Sequence, residues 1–264
     1  MTIDASATIH PSACIEPGAR IGAGCVIGPF CLIGADVILR ENVHVKSHAV
    51  ITGMTEIGAG TEIFSFATLG EVPQDLKFNG EKTRLIIGAR NRIREHVTMN
   101  VGTEGGGGVT RVGDDGLFMA GAHVAHDCQI GDHVILVNNA ALAGHCVLES
   151  EVIVGGLSGV HQFVRIGRGA MIGAVTMVTA DVIPFGLVQG PRGQLDGLNL
   201  IGLKRRGVDR AGIAALRDLY DALGTGNFRE SARVQAGKGG DNRHVREVLD
   251  FILGPSDRSY LTPR

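Results

Sequence analysis

The sequence predicts a mainly β fold made from a repeated strand-and-turn unit, with an α-helical segment following it at the C-terminal end. Three observations carry that expectation. Aliphatic residues recur every six positions, a small residue stands two before each of them, and the composition is rich in glycine and poor in rings. Of 264 residues 40 are glycine, against nine Phe, two Tyr and no Trp, where glycine is usually about 7% of a chain.

The elements follow in chain order. Ile3, Ile9, Ile15, Ile21, Ile27, Ile33, Leu39, Val45, Ile51, Ile57, Ile63 and Leu69 keep the period without a miss. With 44% hydrophobic residues, chance produces such a run about 5 times in 100,000. Ile87, Ile93 and Met99 keep the same frame, and a second frame runs from Val112 through Phe118, Val124, Ile130, Leu136 and Leu142 to Val178. Two before these stand residues such as Ala19, Cys25, Cys31, Thr61, Ala122, Cys128 and Cys146. Two inward side chains at spacing two mean a short strand. Glycine after the aliphatic, as at Gly22, Gly58 and Gly167, predicts a tight corner there.

The pattern resembles the hexapeptide repeat of left-handed parallel β-helices, in which three hexads close one 18-residue triangular coil. The hand comes from that resemblance, since parallel crossovers in general favour the right hand. About nine coils follow, a prism roughly 40 Å long at ~4.8 Å per strand, with an interior expected to exclude aromatic rings. The expected domains are a β-helix over 1–190, with ejected loops near 70–86 and 100–111, and an α-helical domain over 191–264. Ile213, Leu216, Leu219 and Leu223 have helical spacing, as do Val245, Val248, Leu249 and Ile252. Residues 224–240 read as containing a flexible connection.

Composition narrows the function classes. Lys plus Arg number 25 against 27 Asp plus Glu, so no global field marks a nucleic-acid binder. The longest uncharged stretch, His133 to Leu148, is shorter than the ~20 apolar residues of a membrane span. The N-terminus has no basic segment ahead of an apolar run, and five cysteines without C-x-x-C fit a reducing compartment, so the expectation is a cytoplasmic protein. Cys25, Cys31, Cys128 and Cys146 take the small inward position and read as core; Cys14 lies off it and reads as exposed.

The 18-residue coil converts sequence distance into spatial distance. From His126 it leads to Gly144 and Gln162, from Asp127 to His145, and from Ala143 to His161, so these residues share one edge of three coils. His123 points outward beside it. Histidines gathered on one edge suit proton transfer near neutral pH. Three zinc-ligating histidines, as in the carbonic anhydrases that share such a coil, are a rival reading, but the spacing of His123 and His126 matches no such set. The sequence carries no expectation of a metal or a cofactor. A non-catalytic scaffold leaves the histidine edge unexplained.

The stretches A-H-V-A-H-D-C, L-A-G-H and V-H-Q-F, with V-P-Q-D-L-K-F-N-G upstream and G-L-K-R-R-G downstream, resemble the UDP-N-acetylglucosamine O-acyltransferases that begin lipid A biosynthesis. Acetyl-CoA-dependent hexapeptide transferases do not predict the Q-D-L-K loop, and the N-acyl enzyme of the same pathway carries an extra N-terminal domain, for which hexads starting at Ile3 leave no room. The resemblance implies transfer of a 3-hydroxyacyl chain from acyl carrier protein to the sugar 3-hydroxyl, with His126 as base, Asp127 supporting it and the Gly144 N–H stabilising the oxyanion. It assigns Gln74, Asp75, Lys77, His123, His145, His161, Gln162, Asn199, Arg205 and Arg206 to the nucleotide sugar, and Ala174 to an acyl-chain ruler. It further implies a homotrimer whose ejected loop completes a neighbour's site. Two departures stand out: Val101 replaces the arginine of N-R-G-T, and Ala174 replaces the glycine of the long-chain prototype, which favours a shorter acyl chain.

Overall fold

The computed structural model describes residues 2–224, 226–239, 241–256 and 258–263. Most hexads form a two-residue strand, lengthened to three or four residues beside the two loops, and strands pair in parallel with the strand one coil later. Arg20 and Ile21 pair with Ile38 and Leu39, and Val26 and Ile27 with His44 and Val45. The result is a left-handed parallel β-helix with three faces, two of nine strands and one of eleven. Along its axis run columns of Ile, Val and Leu, faced by Ala19, Cys25, Cys31, Cys128 and Cys146, all essentially without solvent contact. Burial of that column supplies the stabilisation, since each aliphatic side chain taken fully from water contributes about 1.5 to 3 kcal/mol. Cys14 is exposed.

One expectation about the interior needs correction. A ring does fit inside: Phe118 is fully buried, because Gly116 two residues earlier leaves the space, and a Cβ there would come within 2.8 Å of the Phe118 ring. Polar groups also enter the column. Asn91 is buried and satisfied, its amide donating to the Gly113 carbonyl at 2.8 Å and its oxygen accepting the Gly116 N–H at 2.8 Å.

Glycine after the aliphatic has a different cause from the expected one. The left-handed backbone falls three residues after the inward aliphatic, at Gly24 and Gly60 but also at Phe30, His48, Asp127, His145 and Phe163. Gly58 and Gly167 are not among the positive-φ residues; they lie where the next coil passes. A Cβ at Gly58 would overlap the Gly88 carbonyl, and one at Gly167 would overlap the Pro184 nitrogen.

Both interruptions leave the stacking register intact. Ile57 pairs with Ile87, and Ile87 with Val112, so extra chain is extruded between coils. The strands Thr68–Glu71 and Arg84–Ile87 trim the first loop to residues 72–83. Thr98–Asn100 and Val109–Val112 trim the second to 101–108, which contains a short 3-10 turn, Glu104–Gly106.

The β layer runs past residue 190. Gly186–Gln189 extends one face in parallel, and Gln194–Leu198 folds back against it antiparallel. Four helices follow among the described residues: α1 (Leu200–Arg205), α2 (Arg210–Leu223), α3 (Phe228–Gly237) and α4 (Arg243–Leu253). Side-chain oxygens of Asp209, Asn227 and Asn242 accept the free N–H groups at the starts of α2, α3 and α4, the usual remedy for unpaired helix donors. Helix α3 occupies the stretch expected to be a flexible connection; Phe228 and Ala232 bury one face of it. Thr225 and Gly240, also in that stretch, lie outside the described residues. The helices are tied to the coils by Arg165, which reaches Asp181 at 2.8 Å and the Tyr260 hydroxyl at 2.9 Å, and by the paired bonds from Arg168 to Glu247.

Candidate active site

A cleft of about 440 Å³ opens on one edge of the prism and is lined by Gln74, His123, His126, Gly144, His161 and Gln162 among others. The coil puts them there. His126 follows the strand His123–Val124, and one coil later Gly144 passes over its ring so closely that an added Cβ would be 2.5 Å from Cε1 and 2.6 Å from Nε2. The next residues in each coil, Asp127, His145 and Phe163, form a column in the left-handed region, with φ of 60°, 63° and 64°. Such backbone costs of order 1 kcal/mol or more for a residue other than glycine. In return His145 stacks on Phe163 at 4.4 Å and meets His126 edge-on at 5.0 Å.

Asp127 is the anchor. Its side chain has no solvent exposure, and Oδ2 lies 2.8 Å from His126 Nδ1. Thr103 donates to it twice, N–H to Oδ1 at 2.8 Å and hydroxyl to Oδ2 at 2.6 Å. A carboxylate on Nδ1 holds the ring proton there and leaves the Nε2 lone pair toward Gly144. The backbone N–H of Gly144 has no acceptor among the described residues, so a donor stands beside that lone pair. His123 is fixed by Thr98, whose hydroxyl is 2.7 Å from Nδ1. Burial, with the neighbouring His126 adding to it, holds His123 below the ordinary histidine range. Burial also lowers His145, against the opposing pull of the Asp127 charge.

His126, Asp127 and His145 have ligand atoms within 4.8 Å of one another, near enough to share a cation. Both Asp127 oxygens are already taken up by Thr103 donors, an arrangement that suits orienting a ring.

The structure separates the other expected residues. Gln74 lines the cleft of its own chain. Asp75 lies near enough for its charge to act on His145, and its carboxylate accepts the Lys77 N–H at 3.0 Å; the Lys77 side chain stays exposed. Asn199, Arg205 and Arg206 do not line the cleft. Asn199 caps α1 and donates to the Gly169 carbonyl, Arg206 pairs with Glu151 at 3.1 Å, and Arg205 is exposed. Ala174 is exposed and outside the lining, where Met177 is found instead. Sequence reasoning missed Thr98 and Thr103 because the second loop breaks the 18-residue count that found the histidines. It missed Arg258, 2.9 Å from His161 Nδ1, because the C-terminal tail returns to the coils from outside the repeat.

Comparison with known proteins identifies the family. Residues 181–261 match the family model described as UDP N-acetylglucosamine O-acyltransferase, domain 2, and residues 1–35 and 18–53 match the bacterial transferase hexapeptide model. A protein of Paracoccus denitrificans named acyl-[acyl-carrier-protein]--UDP-N-acetylglucosamine O-acyltransferase is 79% identical over 76% of this chain and 77% of its own length. One of the same name from Agrobacterium fabrum is 46% identical over 99% of this chain and 98% of its own. The solved structure of UDP-N-acetylglucosamine acyltransferase from Campylobacter jejuni superposes with a TM-score of 0.91 at 38% identity, covering 97% of this chain and 100% of that one. With relatives this similar over nearly its whole length, the chain belongs to the UDP-N-acetylglucosamine O-acyltransferase family.

Proposed function

We propose that this chain transfers a 3-hydroxyacyl group from acyl carrier protein to the 3-hydroxyl of UDP-N-acetylglucosamine, the first step of lipid A biosynthesis, with His126 as general base. The observation that carries the mechanism is the His126 ring held by buried Asp127 on one nitrogen, with its other nitrogen facing the Gly144 backbone. His126 Nε2 accepts the sugar hydroxyl proton while the oxygen attacks the thioester carbonyl. The new C–O bond places negative charge on the former carbonyl oxygen, and the Gly144 N–H stabilises it. Collapse breaks the C–S bond, and the imidazolium returns its proton to the departing thiolate. Asp127 stabilises that imidazolium and keeps its orientation.

The nucleotide sugar is read as lying along Gln74, Asp75, His123, His145, His161 and Gln162, with Lys77 at the loop. Asn199, Arg205 and Arg206 lie off the cleft of their own chain, and the reading includes a homotrimer with sites between subunits. The fully exposed Leu76 of the first loop, with Val72 of the same loop more than half exposed, supports a subunit boundary there. No described helix is long and apolar enough to cross a membrane, and the reading places the enzyme in the cytoplasm with its carrier protein. An exposed Ala174 acts as acyl ruler only if the chain runs out of the cleft along that coil.

The test is acyl transfer to UDP-N-acetylglucosamine from 3-hydroxyacyl carrier proteins of increasing chain length. His126→Ala is expected to abolish turnover while the coils stay folded; retained turnover overturns the mechanism. Equal rates across the donor series would remove Ala174 from the ruler role.

A further inference from the structure

We propose that Thr103, carried by the second extruded loop, is a positioning residue that pins the Asp127 carboxylate and thereby fixes the His126 ring for proton removal. The proposal rests on the reading of His126 as base.

The geometry leaves Asp127 no freedom. Thr103 donates to both oxygens at 2.8 and 2.6 Å, so rotating the carboxylate breaks at least one of these bonds. From the coil beneath, Thr110 Oγ1 accepts the Asp127 backbone N–H at 2.8 Å. Thr103 also organises its own loop: its carbonyl accepts the N–H groups of Gly106 at 3.1 Å and Gly108 at 2.8 Å. The loop seats directly on the carboxylate. A Cβ at Gly106 would overlap the Asp127 carboxylate, and one at Gly102 would come within 2.8 Å of Oδ1. The two glycines are thus a matter of clearance, and they permit the Thr103 backbone and hydroxyl to act on one acid together.

Two donors from one residue do electrostatic work as well. Both point at the charge of the Asp127 carboxylate, whose Oδ2 faces His126 Nδ1. The titratable groups around the pair are His123 and His145 beside the ring, Cys128 in the interior next to Asp127, and Asp75 beyond His145. None of them replaces the Thr103 hydroxyl as a donor to Oδ2 at hydrogen-bond length, since His145 Nδ1 is 3.8 Å away.

The experiment compares wild type, Thr103→Val and Thr103→Ser in steady-state acyl transfer across pH, with the His126 ring titrated by NMR. Losing a charge-assisted hydrogen bond corresponds to roughly a tenfold to hundredfold effect. Thr103→Val is expected to lower kcat by that factor with KM for the nucleotide sugar within about threefold. The acid limb and the His126 titration move to higher pH, because a carboxylate with one donor fewer binds the imidazolium more strongly. Thr103→Ser restores most of kcat and the original pH profile. Should the valine variant fail to fold, Thr103→Ala removes the hydroxyl without pressing a methyl group on the carboxylate, and is read by the same measurements. An unchanged kcat with an unmoved titration overturns the positioning role, while wild-type turnover in His126→Ala overturns the base assignment beneath it.

Discussion

Adding one methyl group at Gly144 tests whether the position of the His126 ring sets the rate. In Gly144→Ala the new Cβ would stand 2.5 Å from Cε1, 2.6 Å from Nε2 and 3.1 Å from Nδ1 of His126. Carbon atoms in ordinary contact sit about 3.5 Å apart or more, so the ring must move by about 1 Å or the coil must spread. Spreading is resisted by the hydrogen bonds joining these coils, including His145 N–H to the His126 carbonyl at 3.0 Å. The ring therefore yields, and the 2.8 Å bond to Asp127 lengthens or breaks. A misplacement of about 1 Å costs around 100-fold in rate, equivalent to about 2.7 kcal/mol in the barrier. The assay is kcat for acyl transfer alongside calorimetric binding of UDP-N-acetylglucosamine, with the thermal midpoint as a folding control. A kcat within threefold of wild type, in a variant whose ring is shown to have moved, would refute the link between ring placement and turnover.

Other expectations follow from the same geometry. Gly58→Ala forces a Cβ onto the Gly88 carbonyl and is expected to destabilise the stack by about 1 to 3 kcal/mol, read as a lowered denaturant midpoint; an unchanged midpoint would mean the coils separate freely. His123 is held below the ordinary histidine range by burial, so its stabilisation is fully present above the unfolded value of about 6.5. That stabilisation is lost as pH falls from there toward the folded value, because the unfolded chain takes up the proton first. Thermal melts from about pH 7.5 to about 5.5 should show this decline, and His123→Gln should make it shallower; an identical slope in the variant counts against the burial argument.

Legibility in the sequence followed the repeat. The hexads wrote the strands, their partners and the columns of the core directly, and the 18-residue interval brought His126 and Gly144 together before any coordinates. Phe118 was a member of the inward column in the sequence, yet its fit depends on Gly116 beside it, a pairwise volume match that a single-position rule does not express. Helix α3 has only a narrow buried face, Phe228 and Ala232, too few apolar positions for a period to stand out. Thr103 lies in the extruded chain, where counting by coils no longer maps onto distance. Asn199 and Arg206 carried the expected residue types, but their contacts with Gly169 and Glu151 depend on how the helices dock.

The extrusion of both loops between stacked coils separates two kinds of selection on this chain. Ile57 meets Ile87 and Ile87 meets Val112 whatever the length of chain between, and lengthening such a loop costs little, about 0.6 kcal/mol for each doubling. The prism is thus tolerant of insertion at these two exits and intolerant inside a hexad, where one added residue turns the aliphatic side chain outward. Novelty in donor or acceptor preference can accumulate in residues 72–83, whereas 101–108 is constrained by Thr103, Gly102 and Gly106 seated on Asp127. Exchanging residues 72–83 among family members is therefore a route to new acyl transfer chemistry on an unaltered frame.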